Sequence, residues 1–142
     1  MELYYEPDTN LLRLVLLNYS DPNVHEVDLS LRIIKEHTMW NFSKKLLLDS
    51  TKAIYGTNRD ALAEQARRFI DMVTRTPIRK VARLKSHSKR REAVVAKVFQ
   101  QVCQNDLDIK FREFTAEKEA LTWLGTSSGH NQSLPALAGW QL

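Results

Sequence analysis

The sequence predicts an α/β domain. Its sheet is mixed, with about five strands in which an N-terminal antiparallel hairpin precedes parallel βα units, and four helices accompany it. Three observations carry that prediction. Short runs of strand formers alternate with segments of helical period from residue 40 onward, and such alternation implies right-handed crossovers and a largely parallel sheet. Before that, two strand-forming runs flank the turn signal Pro7-Asp8-Thr9-Asn10, which reads as an antiparallel hairpin. Finally, 43% apolar residues in a 142-residue chain can supply the core of one domain.

The first strand is expected around Leu3-Tyr4-Tyr5 and the second over Leu11 to Leu17. Asn18 to Asn23 break the chain before a helix in which Val24, Val27, Leu31 and Ile34 share one face, fading near Trp40-Asn41. Lys45-Leu46-Leu47-Leu48-Asp49 is continuously apolar and ends in an acid, the pattern of a strand buried on both faces. A loop over Ser50 to Thr57 leads to the clearest helix, with Leu62, Ala66, Phe69, Ile70 and Val73 as its apolar stripe. Either Thr57 or Asn58 can cap it, and Asp60 adds negative charge to its first turn. Thr76-Pro77 ends that helix, because the residue before proline is pushed out of the α region.

Ile78 to Leu84 is the next strand, and Ser86 or Ser88 caps a helix that buries Val94, Val95, Val98, Phe99 and Val102. The run Leu107 to Phe114 alternates, with Ile109 and Phe111 on one side. A last helix starts at Thr115 to Glu119, where Thr115 with Lys118 or Glu119 is close to a capping box, and turns Ala120, Leu121, Trp123 and Leu124 inward. Residues 1–124 therefore read as one domain. Residues 125–142 contain no Lys, Arg, Asp or Glu and read as a flexible tail, though Leu134, Leu137, Trp140 and Leu142 give it the means to fold back or meet a second copy.

Composition excludes several chemistries. Only four glycines are present, three of them after residue 124, so a glycine-rich phosphate loop or a GxSxG nucleophile elbow cannot be built. A single cysteine, Cys103, rules out an intramolecular disulfide framework and reads as a small buried residue. His25, His37, His87 and His130 lie on distant elements with no pair at i, i+4, so no metal site is expected. MELYYEPD has no signal-peptide character and no apolar run approaches the roughly 20 residues of a membrane span, so a reduced cytoplasmic setting is expected. An enzyme and a cofactor are not expected.

Charge is concentrated. Seven of the 21 Lys+Arg residues fall between Ile78 and Glu92, against that one acid. The bland reading makes them solvated flanks of a strand and a helix. A sharper reading makes Arg83, Lys85, Lys89, Arg90 and Arg91 a patch for an anion or an acidic partner. The last three of these occupy a helix's first turn, where the macrodipole disfavours cations. SHSKRREAV carries no interleaved aromatics, so nucleic acid ranks as the minor alternative. Asp49 stands at the carboxyl end of a predicted parallel strand, where α/β sheets bind ligands, and a strand-end acid can equally cap its own loop.

Two stretches resemble a known family. Lys44 to Asp49 (KKLLLD), with the loop and helix after it, is similar to the central strand-loop-helix of the STAS domains, the sulphate-transporter and anti-sigma-factor-antagonist group. The closing run Phe111-Arg112-Glu113-Phe114-Thr115, with Glu119-Ala120-Leu121-Thr122-Trp123-Leu124, resembles the end of bacterial SpoIIAA-like proteins of STAS/SEC14 type. The element order over residues 1–124 fits as well. The resemblance implies a non-enzymatic regulatory module that binds a protein partner or a second copy of itself. In the antagonists a serine in Asp-Ser-Ser-Gly is phosphorylated where the helix after the central strand opens. Here Thr57 stands near the acid's place and Asn58 near the serine's, and no glycine follows. The resemblance thus makes Asp49, Ser50, Thr57 and Asn58 the candidate partner or switch surface. Its SEC14 side implies a second reading, a small apolar ligand held among Trp40, Phe42, Phe69 and Phe99.

Overall fold

A computed structural model describes residues 2–16, 24–53, 58–102, 108–125 and 134–135. Strands β1 (Glu2–Glu6) and β2 (Leu11–Val15) form the hairpin, and α1 (Val24–Asn41) follows. Then come β3 (Lys45–Asp49), α2 (Arg59–Thr74), β4 (Lys80–Leu84), α3 (Lys89–Val102), β5 (Lys110–Phe114) and α4 (Glu117–Leu124). Leu134–Pro135 add a two-residue strand, β6, antiparallel to β1 at Tyr4 and Tyr5. The sheet order is β5-β4-β3-β2-β1-β6, with β2 through β5 all parallel. The expected mixed α/β architecture is therefore the observed one. The remainder of the tail lies outside the described residues.

Period-2 alternation divides the sheet's side chains between two cores. On one face Leu12, Leu14, Leu46, Leu48, Val81 and Ile109 pack with Ile34 of α1 and Phe69, Ile70 and Val73 of α2. Leu62 and Ala63 of α2 then join Val95 and Val98 of α3, so three helices lie side by side on that face. On the other face, among the described residues, Leu11, Leu47, Ala82, Leu84 and Phe114 meet Ala120, Leu121 and Leu124 of α4. This explains the unbroken Leu46-Leu47-Leu48 run, since both faces of β3 are covered.

Several local expectations need adjusting. β4 begins at Lys80 rather than Ile78, because the Arg79 and Lys80 amides both donate to the Lys44 carbonyl (2.8 and 3.2 Å) and the ladder starts only there. Thr115 does not cap α4. Ala116 holds the N-cap position without a side-chain hydrogen bond. The opposite end of α4 is well finished. Gly125 takes the left-handed conformation (φ 76°) of a helix C-terminus, and Lys80 Nζ donates to the Trp123 carbonyl at 3.1 Å, placing a cation at the negative end of the helix dipole.

The end of α1 is finished differently. Phe42 has φ 52° where glycine or asparagine is preferred, and the residue is 65% exposed. Asn10, itself at φ 53°, holds the turn by donating from Nδ2 to the Phe42 carbonyl at 3.1 Å. No helix among the described residues is long and apolar enough to cross a membrane. Because the Phe42 ring gains little burial while its backbone is strained, Phe42→Gly is expected to raise stability by about 1 kcal/mol, read as an increased urea midpoint. A lowered midpoint would show that the ring contributes packing.

Candidate functional site

The residues singled out around the β3 terminus are drawn into local structure. The Asp49 carboxylate accepts from the Thr51 amide (3.0 Å) and the Thr51 hydroxyl (2.6 Å), which closes an Asx turn. Asn58 caps α2, its Oδ1 accepting from the Ala61 amide at 3.0 Å. Ser50 is 1% exposed, and its hydroxyl has no hydrogen-bond partner among the described residues. Thr57 lies outside the described residues. The three described positions do not form one exposed surface, since Ser50 is buried and Asp49 only partly exposed. They cap, turn or fill.

The basic stretch divides in two. Arg83 was expected in an exposed patch, and it is 4% exposed because β4 is flanked by β3 and β5 and turns it toward the α3 side. Its guanidinium takes Glu92 in a two-pronged bond (2.8 and 2.5 Å) and reaches Glu113 of β5 at 2.5 Å. Arg91 is likewise buried, at 8% exposure, with its Nη1 3.9 Å from Glu92. Lys85, Lys89 and Arg90 remain exposed. So the patch for an anion retains three of its five members.

Glu92, counted in the sequence only as the lone acid of a basic run, is the centre of this network. It also accepts from the Ser86 amide at 3.0 Å, while Ser86 Oγ donates to the Ala53 carbonyl and Ser88 Oγ caps α3 by accepting from the Arg91 amide. Burial acts to raise the Glu92 carboxyl. The hydrogen bonds and charge of Arg83, the Ser86 amide and the charge of Arg91 outweigh it and hold the group below its usual value.

A concavity of about 750 Å3 opens beside this network, at the free side of the sheet. Its walls are Lys85, β5 from Arg112 to Phe114, Thr115, and the Lys118, Glu119, Thr122 and Trp123 side of α4. Phe114 and Trp123 lean together with ring centroids 5.7 Å apart, and the Arg112 guanidinium lies 5.3 Å from the Phe114 ring. Glu113 borders the groove while held by Arg83. Lys85, Arg112 and Lys118 therefore outweigh Glu119 as free charges along it.

β5 is the last strand on this side of the sheet. The Lys110 amide donates to the Arg79 carbonyl and the Lys85 amide to the Phe114 carbonyl, both at 2.9 Å, so the even-numbered residues turn their backbone groups toward β4. Phe111 and Glu113 turn theirs outward, where no described residue pairs with them. The groove and this open edge are one continuous surface. The DIKFREF alternation places Arg112 opposite in facing to Phe111, but nothing in a sequence marks β5 as an edge.

Of the four aromatics expected to share an apolar pocket, the two described ones lie apart in burial. Phe69 is in the core at 9% exposure and Phe42 is on the surface, while the side chains of Trp40 and Phe99 lie outside the described residues. Among the histidines, His37 is half-buried against Tyr5 (5.2 Å), which lowers its pKa by desolvation, and His87 is exposed. No group of three metal-ligating side chains occurs among the described residues. Comparison with protein-family models, with curated proteins and with solved structures gives no match.

Two predictions follow from the network. Arg83→Met leaves the Glu92 and Glu113 carboxylates without their shared cation and is expected to destabilise the fold by about 3 kcal/mol in urea titrations, with Arg83→Lys intermediate because it keeps charge but loses the fork. Unchanged stability of the Met variant would remove the network from its organising role. Since the folded Glu92 pKa lies below the unfolded one, its contribution is fully present above the usual glutamate value and is lost as pH falls from about 4.3 downward. Glu92→Gln should flatten that acid limb of the stability profile, and an identical limb would assign it to other carboxylates.

Proposed function

We propose that this chain is a STAS-like, non-enzymatic interaction module of the cytoplasm whose partner is a protein. The open outer side of β5, continuous with the groove along α4, carries the proposal. An edge strand with outward N–H and C=O groups can receive an extended segment as an added strand, and a neighbouring groove can take that segment's side chains. Lys110, Arg112 and Glu113 on the edge keep it from pairing indiscriminately, as charged edge residues do. The mixed sheet with its terminal helix supports the family reading only at the level of architecture.

The turn after β3 supports the phospho-switch of the antagonists less well, because Asp49 and Asn58 already bond within their own turns. Binding of a small apolar ligand is a second reading, resting on the family's SEC14 side. An anion or nucleic acid at Lys85, Lys89 and Arg90 is a third, resting on their exposure.

Extended peptides selected from a display library on the full chain are expected to slow hydrogen exchange at the Phe111 and Glu113 amides and to leave the Arg112 amide, already paired to β4, unchanged. Selected peptides that protect neither amide would overturn the reading. Native mass spectrometry of freshly purified protein should show the bare chain or a multiple of it. A co-purified molecule of lipid mass would favour the apolar-ligand alternative.

A further inference from the structure

Edge-to-edge pairing of β5 with a second copy can be worked through register by register. In an antiparallel ladder the hydrogen-bonded residues turn their backbone groups toward each other, and on β5 the outward residues are Phe111 and Glu113. Only three pairings of this strand with itself satisfy that condition. Setting Phe111 opposite Glu113 places Arg112 directly against Arg112. Setting Phe111 opposite Phe111 places Lys110 against Arg112, twice. Setting Glu113 opposite Glu113 opposes the carboxylates themselves. Like charges directly across a ladder are destabilising. Every antiparallel register of β5 against β5 therefore sets like charges opposite one another, the Glu113 pair being the one whose carboxylates Arg83 already engages.

The same residues specify what does fit. Lys110, Arg112 and Phe114 share the α4 face of β5, since Phe114 packs with Ala120, Leu121 and Leu124. An added strand presents every second side chain to that face. There it meets exposed Lys110 and Arg112, with Lys85 and Lys118 along the adjoining groove. On the opposite face its side chains meet half-buried Phe111, and Glu113, whose carboxylate Arg83 already engages.

We infer that the β5 edge selects against the β5 edge of a second copy and for an extended segment of another protein with acidic side chains at alternate positions over Lys110 and Arg112 and apolar ones between. This rests on the strand-addition reading above and names the partner's chemistry. Charge complementarity commits the occupant. The edge repels itself and offers an unneutralised basic row to an alternating acidic strand.

The test uses the full chain and two labelled nine-residue peptides, one alternating valine with glutamate and one alternating valine with lysine. Fluorescence anisotropy is expected to give the glutamate peptide about tenfold tighter binding, weakening with salt, together with slowed exchange at the Phe111 and Glu113 amides. The double variant Lys110→Glu, Arg112→Glu should reverse the preference. Equal binding of both peptides with those amides protected would overturn the charge inference and leave strand addition standing. Protection by neither peptide would overturn both. Sedimentation of the chain alone should show no self-association that protects these amides, and a dimer that did so would overturn the inference directly.

Discussion

The guanidinium of Arg83 is the point on which the rest of this molecule turns. It lies in β4, with β3 on one side and β5 on the other, in a position whose neighbours along the strand are fully apolar. A cation there is tolerable only with its bonds satisfied. The two-pronged bond to Glu92 and the reach to Glu113 satisfy them, and in doing so fasten the start of α3 and the edge strand to one central residue. Glu92 passes the constraint on through the Ser86 amide, and Ser86 Oγ passes it to Ala53. Polar bonds thus tie the carboxyl end of β4 to α3, to β5 and to the turn after β3.

Among the described residues, α1, α2 and α3 cover one face and α4 covers the other. The exposed feature beside β5 is linear. It is one strand's backbone, a row of long basic side chains and a groove floored by Phe114 and Trp123. Lines of this kind suit chain segments better than small molecules. Glu113 stands in both worlds, anchored to Arg83 on its inner side and bordering the groove on its outer side.

Legibility differed by length scale. Periodicity located the helices and the parallel strands to within two or three residues, because amphipathic stripes and continuous apolar runs are consequences of burial. Capping was legible where a side chain did the work, as at Asn58 and Ser88, and misleading at Thr115, where Ala116 takes the position without help. The candidate site was less legible. Asp49 carried a signal for its position at a strand end, and the bond to Thr51 two residues away consumed it. Arg83 looked like one of seven clustered bases, yet its partner Glu113 is 30 residues distant and its role appears only once β4 and β5 are paired.

From sequence alone come the fold class, the order of the elements, the missing phosphate loop and the charge concentration between residues 78 and 92. All of these depend on residue type and near-neighbour spacing, which the chain states directly. Tertiary structure decided which strand lies at the edge, which bases are neutralised and which aromatics share a wall. Those facts depend on pairing between residues far apart in the chain, as when Lys80 meets the carbonyl of Trp123, 43 residues on, or when Arg83 withdraws from the patch that Lys85 keeps. The seven clustered bases therefore divide by burial. Strand position, which no local pattern encodes, determines on which side of that division each one falls.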